Sequence, residues 1–110
     1  MAKFVKGDIV VVPFPFSDLT NAKRRPAFVL TVLPGDDIIL CQITSRDVKD
    51  DFVVKLKAID FEVGSLPVDS NIRPNRLFTA DRHIVLYKIG HANQEKTNEV
   101  VDKAIKIIRF

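Results

Sequence analysis

Three adjacent cations, Lys23-Arg24-Arg25, stand directly before Pro26 and an apolar run. An arginine guanidinium is a rigid fork of donors that stays charged, so such a cluster can hold a phosphate group through paired hydrogen bonds. The same cluster could instead be a solvated turn that keeps a sheet edge soluble. Its position relative to other polar groups decides between the two interpretations.

A second group of polar side chains ends another apolar run, in the order Gln42-Ile43-Thr44-Ser45-Arg46. Amide, hydroxyl and guanidinium groups at the end of a strand are held rigidly enough to bind a ligand. Taken alone, this pattern fits a strand end capped by hydroxyl groups better. A binding site is therefore expected only if the two polar groups meet.

Both groups lie on segments that are predicted to be β-strands. Residues 8–16 form the first, because Ile9 to Val12 are β-branched throughout, and Pro13 and Pro15 are expected to end its pairing. Residues 25–33 form the second, in which Pro26 forces Arg25 into an extended conformation and is tolerated as a first strand residue. Residues 38–43 form the third.

A strong turn signal, Pro34-Gly35-Asp36-Asp37, separates the second and third of these strands. The two strands are therefore predicted to form an antiparallel hairpin. If its turn centres on Pro34 and Gly35, Arg25 falls opposite Thr44 at the open end. This register places a guanidinium beside a hydroxyl.

The remaining segments complete a mainly β fold with a C-terminal helix. Residues 52–57 predict a further strand, residues 58–71 an irregular connection, and residues 71–90 one more strand. Apolar residues then recur at helical spacing from Val100 to Ile108, after a capping residue at Asn93. Short strands followed by one helix predict a small, strongly bent antiparallel barrel closed by the helix, in a single domain spanning residues 1–110.

Composition narrows the class of protein. With 46% hydrophobic and 28% charged residues, the 110-residue chain is neither disordered nor an integral membrane protein. Residues 1–6 lack the apolar stretch of a signal peptide, so a cytoplasmic location without membrane contact is expected. The net charge of +3 is compatible with a polyanionic partner such as nucleic acid.

Few other residues in the sequence suggest a catalytic, metal-binding or redox role. Cys41 is the one cysteine, which excludes an intrachain disulfide and a cysteine-based zinc site, and its apolar surroundings predict a buried, inert thiol. His83 and His91 are the two histidines, and their spacing indicates structural or surface roles. The sequence contains no phosphate-binding glycine loop, no helical pair of metal-binding histidines and no nucleophile elbow.

Five short motifs in order resemble the MazF/PemK toxins, from about Lys6 to the final helix. They are Lys6-Gly7-Asp8-Ile9-Val10, Phe14-Pro15-Phe16-Ser17-Asp18, Arg24-Arg25-Pro26-Ala27-Phe28-Val29, Gln42-Ile43-Thr44-Ser45 and Leu77-Phe78-Thr79-Ala80-Asp81. The resemblance implies the toxin of a type II toxin–antitoxin pair, folded as an SH3-like β-barrel of the CcdB/MazF/PemK type. It also implies a homodimer that cleaves single-stranded RNA without a metal or other cofactor.

The family's catalytic positions fall on Arg25 and Thr44, the pair that the hairpin register had already placed together. Supporting contacts with RNA are expected from Lys23, Arg24, Ser45, Ser17, Arg76 and Ser70. At Arg76 related toxins often carry a glutamine that lines the RNA groove, so base preference cannot be copied from a relative. Gly7-Asp8 and Asp69-Ser70 match positions that shape the site or its loops.

The resemblance implies attack by the ribose 2′-hydroxyl, which leaves a 2′,3′-cyclic phosphate and a 5′-hydroxyl end. Arg25 is expected to stabilise the phosphorane and Thr44 to orient the phosphate, while the general base is left open. The implied partners are single-stranded RNA, a cognate antitoxin and a second copy of the chain, with DNA bound only through a toxin–antitoxin complex. Two alternatives remain: a CcdB-like toxin that poisons DNA gyrase without chemistry, and an inactive nucleic-acid-binding barrel.

Overall fold

The structure is a computed structural model that describes residues 3–14 and 23–110. Its elements, in chain order, are β1 (Asp8–Phe14), β2 (Lys23–Val32), β3 (Asp37–Thr44), β4 (Val54–Leu56), a 3-10 turn (Ala58–Asp60), β5 (Phe61–Gly64), β6 (Ser70–Asp81), a second 3-10 turn (Arg82–Ile84), β7 (Tyr87–Ala92) and α1 (Gln94–Ile108). The predicted combination of a mainly β fold and a C-terminal helix is confirmed.

Within the described residues, seven strands form one curled antiparallel sheet in the order β4-β6-β3-β2-β1-β7-β5. The two edge strands, β4 and β5, do not pair with each other in this part of the chain. The sheet is thus a strongly bent half-barrel, and α1 packs against β6 and β4. This arrangement agrees with the predicted helix-closed barrel.

The hairpin register predicted from the turn is confirmed. Ala27 pairs with Gln42, Phe28 with Cys41 and Val29 with Leu40. The same register, continued by two residues, places Arg25 level with Thr44. A bulge beyond Val29 shifts the pairing by one residue nearer the turn, but the open end is unaffected.

Alternation along the central strands divides the core between two faces of the sheet. One face, here the helix face, carries Phe28, Cys41 and Ile43 and packs against Val100 of α1. The other, here the recess face, carries the cluster Val10, Val12, Ala27, Val29, Ile38, Leu40 and Ala80. Because β-strand side chains have a period of two, Gln42 and Thr44 share the recess face with Leu40, and Arg25 shares it with Ala27.

The helix begins where the sequence predicts. The Asn93 side chain accepts a hydrogen bond from the Lys96 backbone N–H at 2.8 Å, which satisfies one of the unpaired donors of the first turn. Val100 and Ala104 are buried against the sheet, whereas Ile105 and Ile108 are exposed.

Three expectations about the strands were wrong. β1 does not end at Pro13, which pairs with Arg24 inside the β1–β2 ladder. Residues 58–71 are not irregular, because a 3-10 turn and the edge strand β5 lie there. Residues 71–90 contain two strands, β6 and β7, because Asp81 caps a 3-10 turn that reverses the chain between them. For β1 and β5, pairing with another strand decides the conformation.

The predicted thiol and histidine roles agree with the structure. Cys41 is fully buried, and burial raises the pKa of its thiol to about 12, so it stays protonated and inert at neutral pH. His91 Nδ1 is 2.8 Å from Oδ1 of the buried Asp8, which also accepts the Val5 backbone N–H. His83 Nδ1 lies 2.6 Å from Oδ1 of the exposed Asp81.

Among the described helices, none is long and apolar enough to cross a membrane.

Candidate active site

A recess with a cavity volume of about 260 Å³ opens at the end of the β2–β3 hairpin. Its described lining comes from β1, β2, β3, the residues after β3, and β6. The lining residues are Val12, Phe14, Arg25, Pro26, Gln42, Ile43, Thr44, Arg46, Arg73 and Phe78. The recess therefore lies where the apolar cluster of the recess face gives way to polar side chains.

The two residues predicted to be catalytic both line this recess. Arg25 is exposed and lies directly opposite the buried Val12 of β1. Thr44 is half-buried and lies directly opposite Asn71 of β6. Continuation of the β2–β3 register brings them level on the same face. Strand alternation and the hairpin register favour this juxtaposition, and the ladders with β1 and β6 hold the backbones of Arg25 and Thr44 in place.

Hydrogen bonds hold the Thr44 hydroxyl in a defined orientation. Its Oγ1 accepts the Arg46 backbone N–H at 3.1 Å, and Nδ2 of the buried Asn71 donates to the Arg46 carbonyl at 2.8 Å. The chain after β3 is therefore tied back to β6. Because Oγ1 already accepts, the Thr44 hydroxyl hydrogen is left to donate to a ligand.

Three guanidinium groups line the recess, from Arg25, Arg46 and Arg73. Arg73 Nη2 lies 3.3 Å from Asp50 Oδ2, whereas Arg25 and Arg46 form no ion pair with any residue that the structure describes. The described lining contains neither a carboxylate nor a histidine. The recess consequently carries a concentrated positive charge that suits a phosphate-bearing ligand.

Aromatic side chains also line the recess. The rings of Phe14 and Phe78 have centroids 5.7 Å apart and planes inclined at 46°. Val12 continues this apolar wall toward the core. A ligand with a charged group and a flat apolar part matches this combination of guanidinium and aromatic groups.

The other predicted contact residues divide between several places. Lys23 and Arg24 are exposed at the start of β2, and alternation places Lys23 on the recess face and Arg24 on the helix face. Arg76 is exposed in the segment of β6 that bulges out between Arg73 and Leu77, and it is not among the recess-lining residues. Ser17 lies outside the described residues.

Ser45 and Ser70 line a second, polar recess on the other side of Thr44. Its remaining lining residues are Asp47, Lys55, Lys57, Asp69 and Asn71. Ser45 is exposed, but Ser70 is only 5% exposed and its hydroxyl donates to the Val68 carbonyl at 3.1 Å. The structure therefore separates these two serines from the recess that holds Arg25.

One cluster in the described part of the chain has the donor types of a metal site. Donor atoms of Asp36, Asp81 and His83 all lie within 4.8 Å of one another, and all three residues are exposed. A hydrogen bond from the His83 backbone N–H lowers the pKa of Asp81, and Arg82 Nε lies 3.3 Å from Asp36. The cluster sits at the turn end of the hairpin, so it takes no part in the recess at the open end.

Several lining residues were missed as site residues in the sequence. Gln42 and Arg46 belong to the polar run around Thr44, and the two-residue spacing of Gln42 from Thr44 signals a shared face. Arg73 reaches the recess because β6 bulges between Leu77 and Arg73 opposite Cys41 and Gln42. Pro74 lies within the bulge, and a proline inside a strand is the one local signal for it. Asn71, which fixes the turn after Thr44, is recognisable only from strand pairing.

The fold and the recess together define a small β-sheet protein with a C-terminal helix and a cationic pocket at one hairpin end. The family model described as PemK-like, MazF-like toxin of type II toxin–antitoxin system matches residues 5–108. The chain therefore belongs to this toxin family, and the family resemblance stated from the motifs is confirmed. Among curated proteins, none matches the chain in sequence.

Solved structures with the same fold include MazF from Deinococcus radiodurans, which is 22% identical with a TM-score of 0.77 and full coverage of both chains. An endoribonuclease from a mycobacterial species, in complex with its cognate antitoxin, is 10% identical with a TM-score of 0.75, and 100% of this chain and 97% of that chain are covered. The Mycobacterium tuberculosis toxin MazF-mt6 is 16% identical with a TM-score of 0.70, covering 91% and 93%. At these identities, the likeness is one of fold.

Proposed function

We propose that the protein is a metal-independent, sequence-specific endoribonuclease, the toxin of a type II toxin–antitoxin pair, that cleaves single-stranded RNA at the recess. The observation that carries this proposal is that Arg25 and Thr44 line one recess at the open end of the β2–β3 hairpin. Family membership and structural neighbours described as endoribonucleases support it. The catalytic pair is Arg25 and Thr44.

The reaction is a transesterification within the RNA chain. The 2′-oxygen attacks the adjacent phosphorus and the bond from phosphorus to the 5′-oxygen breaks. The proton lost by the 2′-hydroxyl is matched by one gained by the 5′-oxygen, so the products are a 2′,3′-cyclic phosphate and a 5′-hydroxyl end. Arg25 stabilises the charge that develops on the phosphorane, since its fork of donors fits two phosphate oxygens.

Thr44 donates its hydroxyl hydrogen to a non-bridging oxygen, in the orientation that the Arg46 N–H and Asn71 maintain. Because the described lining lacks a histidine and a carboxylate, electrostatic stabilisation by preorganised donors is the principal contribution of these residues. Lys23, Arg24, Ser17, Ser45, Ser70 and Arg76 are proposed as contacts to the RNA strand on either side of the scissile phosphate.

RNA enters as an unpaired strand, because a cleft can accept unstacked bases whereas an A-form duplex hides their edges. A cognate antitoxin, acidic in its contact segment, is the natural regulator of a recess with unpaired guanidinium groups. The active form is a homodimer, and DNA is bound only through the toxin–antitoxin complex. Because its proposed partners are RNA and a cognate antitoxin, the protein is proposed to act in the cytoplasm.

The test is cleavage of a long single-stranded RNA in EDTA by the wild type and by Arg25→Ala and Thr44→Val variants. Loss of one preorganised donor is expected to lower the rate by about 10²- to 10³-fold. Arg109→Ala, which removes an exposed arginine from the end of α1, is the matched control and should cleave normally. Thermal melts establish that all four proteins fold alike.

Substrates with a 2′-deoxy residue at the mapped cut site should resist cleavage, and end analysis should show cyclic phosphate. Cleavage that survives in Arg25→Ala would contradict the proposed site. Absence of any RNA cleavage, together with gyrase inhibition that is equal for wild type and Arg25→Ala, would instead favour a toxin that acts by binding.

A further inference from the structure

The Arg46 side chain has no task in the proposed catalysis, although it lines the recess with Arg25 and Arg73. It is exposed and lies two residues past the end of β3. Asp50 holds Arg73 from outside the recess, whereas the Arg46 guanidinium forms no ion pair or side-chain hydrogen bond within the described part of the chain. The N–H donors of Arg46 are therefore open to a ligand.

The backbone of Arg46 is fixed from two directions, although this residue lies outside the sheet. Its N–H donates to Thr44 Oγ1 at 3.1 Å, and its carbonyl accepts a hydrogen bond from Asn71 Nδ2 at 2.8 Å. Asn71 is only 7% exposed and lies opposite Thr44 in the β3–β6 ladder. The Arg46 side chain therefore extends from a fixed point beside the proposed catalytic pair. A preorganised donor loses less entropy on binding than one on a free loop.

We propose that the Arg46 guanidinium binds the phosphate of the RNA strand that neighbours the scissile phosphate. The inference rests on the endoribonuclease function proposed above, and it identifies a second phosphate site that holds the substrate in register. Recognition at this site is of the RNA backbone and is independent of base sequence.

The scissile phosphate is already provided with donors. A phosphodiester has two non-bridging oxygens, and the proposed mechanism directs the fork of Arg25 and the Thr44 hydroxyl at them. Two residues of extended chain span at most about 7 Å, so Arg46 starts close to Thr44, and its long side chain can reach an anion one nucleotide away. The next phosphate of a strand bound at Thr44 is therefore the anion that a third donor group meets.

The lysines of the second recess fit this role less well. Lys55 and Lys57 line that recess together with the carboxylates of Asp47 and Asp69, so the charges there balance. In the recess that holds Arg46, the described lining contains guanidinium groups and no carboxylate. An anion is attracted to the side with unbalanced positive charge, and the second phosphate is assigned to Arg46 for this reason.

The experiment is a binding scan in which one phosphate at a time is replaced by a neutral methylphosphonate. The RNA is single-stranded, carries a 2′-deoxy residue at the mapped cut site and is labelled for fluorescence polarisation. Wild type, Arg46→Gln and Arg46→Lys are compared, and both variants keep the backbone N–H that orients Thr44. Lys49→Ala is the matched control, because Lys49 is an exposed cation of the same loop that does not line the recess.

We expect wild type and Lys49→Ala to lose affinity when either the scissile phosphate or one neighbouring phosphate is neutral. Arg46→Gln should bind unmodified RNA about 10- to 150-fold less tightly, because it lacks one charge-assisted contact. It should lose no further affinity when the neighbouring phosphate is neutral, since the same contact cannot be lost twice. Arg46→Lys should keep part of the affinity, because it retains the charge but lacks the planar fork. In cleavage assays, the loss should appear in KM and not in kcat.

Three results would overturn the assignment. Unchanged affinity of Arg46→Gln, or a full loss at every neutral phosphate in that variant, would show that Arg46 is a solvated loop cation. A fall in kcat without a rise in KM would place Arg46 at the scissile phosphate instead. If wild type binds the strand but cleaves no RNA, the proposed function fails, and the scan on RNA without the 2′-deoxy residue still decides the phosphate contact. Thermal melts check that the variants fold.

Discussion

At the scale of single residues, Asp50 illustrates how one carboxylate can organise a site from outside it. Its Oδ1 accepts the backbone N–H groups of Phe52 and Val53 at 2.9 and 3.1 Å, and its Oδ2 faces Arg73 Nη2 at 3.3 Å. The loop before β4 is thereby fixed, and a guanidinium is held at the recess. Arg73 can use its remaining donors for a phosphate oxygen.

We expect Arg73→Gln to weaken RNA binding by about 10- to 150-fold, because a hydrogen bond to a charged group contributes about 1.5–3 kcal/mol. Arg73→Lys should recover only part of this loss, since an ammonium keeps the charge but lacks the planar fork. The measurement is fluorescence polarisation with an RNA that carries a 2′-deoxy residue at the cut site. Affinity equal to that of wild type in both variants would show that Arg73 serves only to anchor Asp50.

At the scale of elements, the helix and the recess are separated by the sheet. Val100 of α1 packs on the helix face with Cys41 and Ile43, whereas Arg25 and Thr44 lie on the other face. Stability that α1 contributes should therefore be separable from activity.

The Asn93 cap provides the corresponding prediction. Asn93→Ala should lower the free energy of unfolding by about 0.5–2 kcal/mol, because Lys96 N–H loses its acceptor. Cleavage per folded molecule should not change. Asn98→Ala, at an exposed helical position, is the control and should not destabilise the protein, because alanine is the better helix former. Chemical denaturation gives the free energy of unfolding, and a parallel assay gives the cleavage rate per folded molecule. An Asn93→Ala variant that is stable but inactive would contradict the expectation that the helix affects stability and not activity.

The sequence predicted those elements whose conformation is decided locally. The turn at Pro34 and Gly35 and the alternation on either side of it set the β2–β3 register, which is why Arg25 and Thr44 could be paired in advance. The Asn93 cap determines where α1 begins, and the helical spacing of apolar residues after it determines which face packs against the sheet. Local chemistry was sufficient in both cases.

The remaining elements depend on partners that lie far away in the chain. β5 is largely exposed and becomes a strand only by pairing with β7, where Gly64 approaches so closely that a Cβ would lie 2.0 Å from the Ile89 carbonyl oxygen. β1 passes through Pro13 because β2 holds it in register. The β6 bulge that brings Arg73 to the recess is likewise set by β3. Apart from Pro74 in the bulge, patterns within a short window do not contain this information.

At the scale of the whole molecule, the modest net charge of +3 conceals a local concentration of cations. Lys23, Arg24 and Arg25 are consecutive and exposed, and Arg46 is close by in the recess lining. In the described part of the chain, none of these four forms an ion pair. We therefore expect the local cluster of cations, more than the net charge, to determine how tightly the protein binds a polyanion.

The salt dependence of RNA binding reports how many phosphate groups these cations contact. Affinity should fall linearly on a log–log plot against salt concentration, and removal of one phosphate contact should reduce the slope by about 0.7 for single-stranded RNA. We expect that reduction for Lys23→Ala, Arg24→Ala and Arg76→Ala, each tested singly. Lys106→Ala on α1 is the control. A slope that is unchanged in a variant would remove that residue from the set of RNA contacts.

The pairing of β1 with β7, in which Asp8 lies opposite His91, joins residues that are 83 positions apart in sequence. Strand partners so far apart in sequence close late in folding. During synthesis the first hairpin leaves the ribosome early, but β6, which supplies Arg73 and Phe78, follows some thirty residues later. The strand that seals the sheet comes later still. A growing chain therefore carries its recess residues in unfinished form until β6 has been synthesised, because β6 supplies part of the lining. The order of synthesis by itself delays assembly of the recess until Arg73 and Phe78 have left the ribosome.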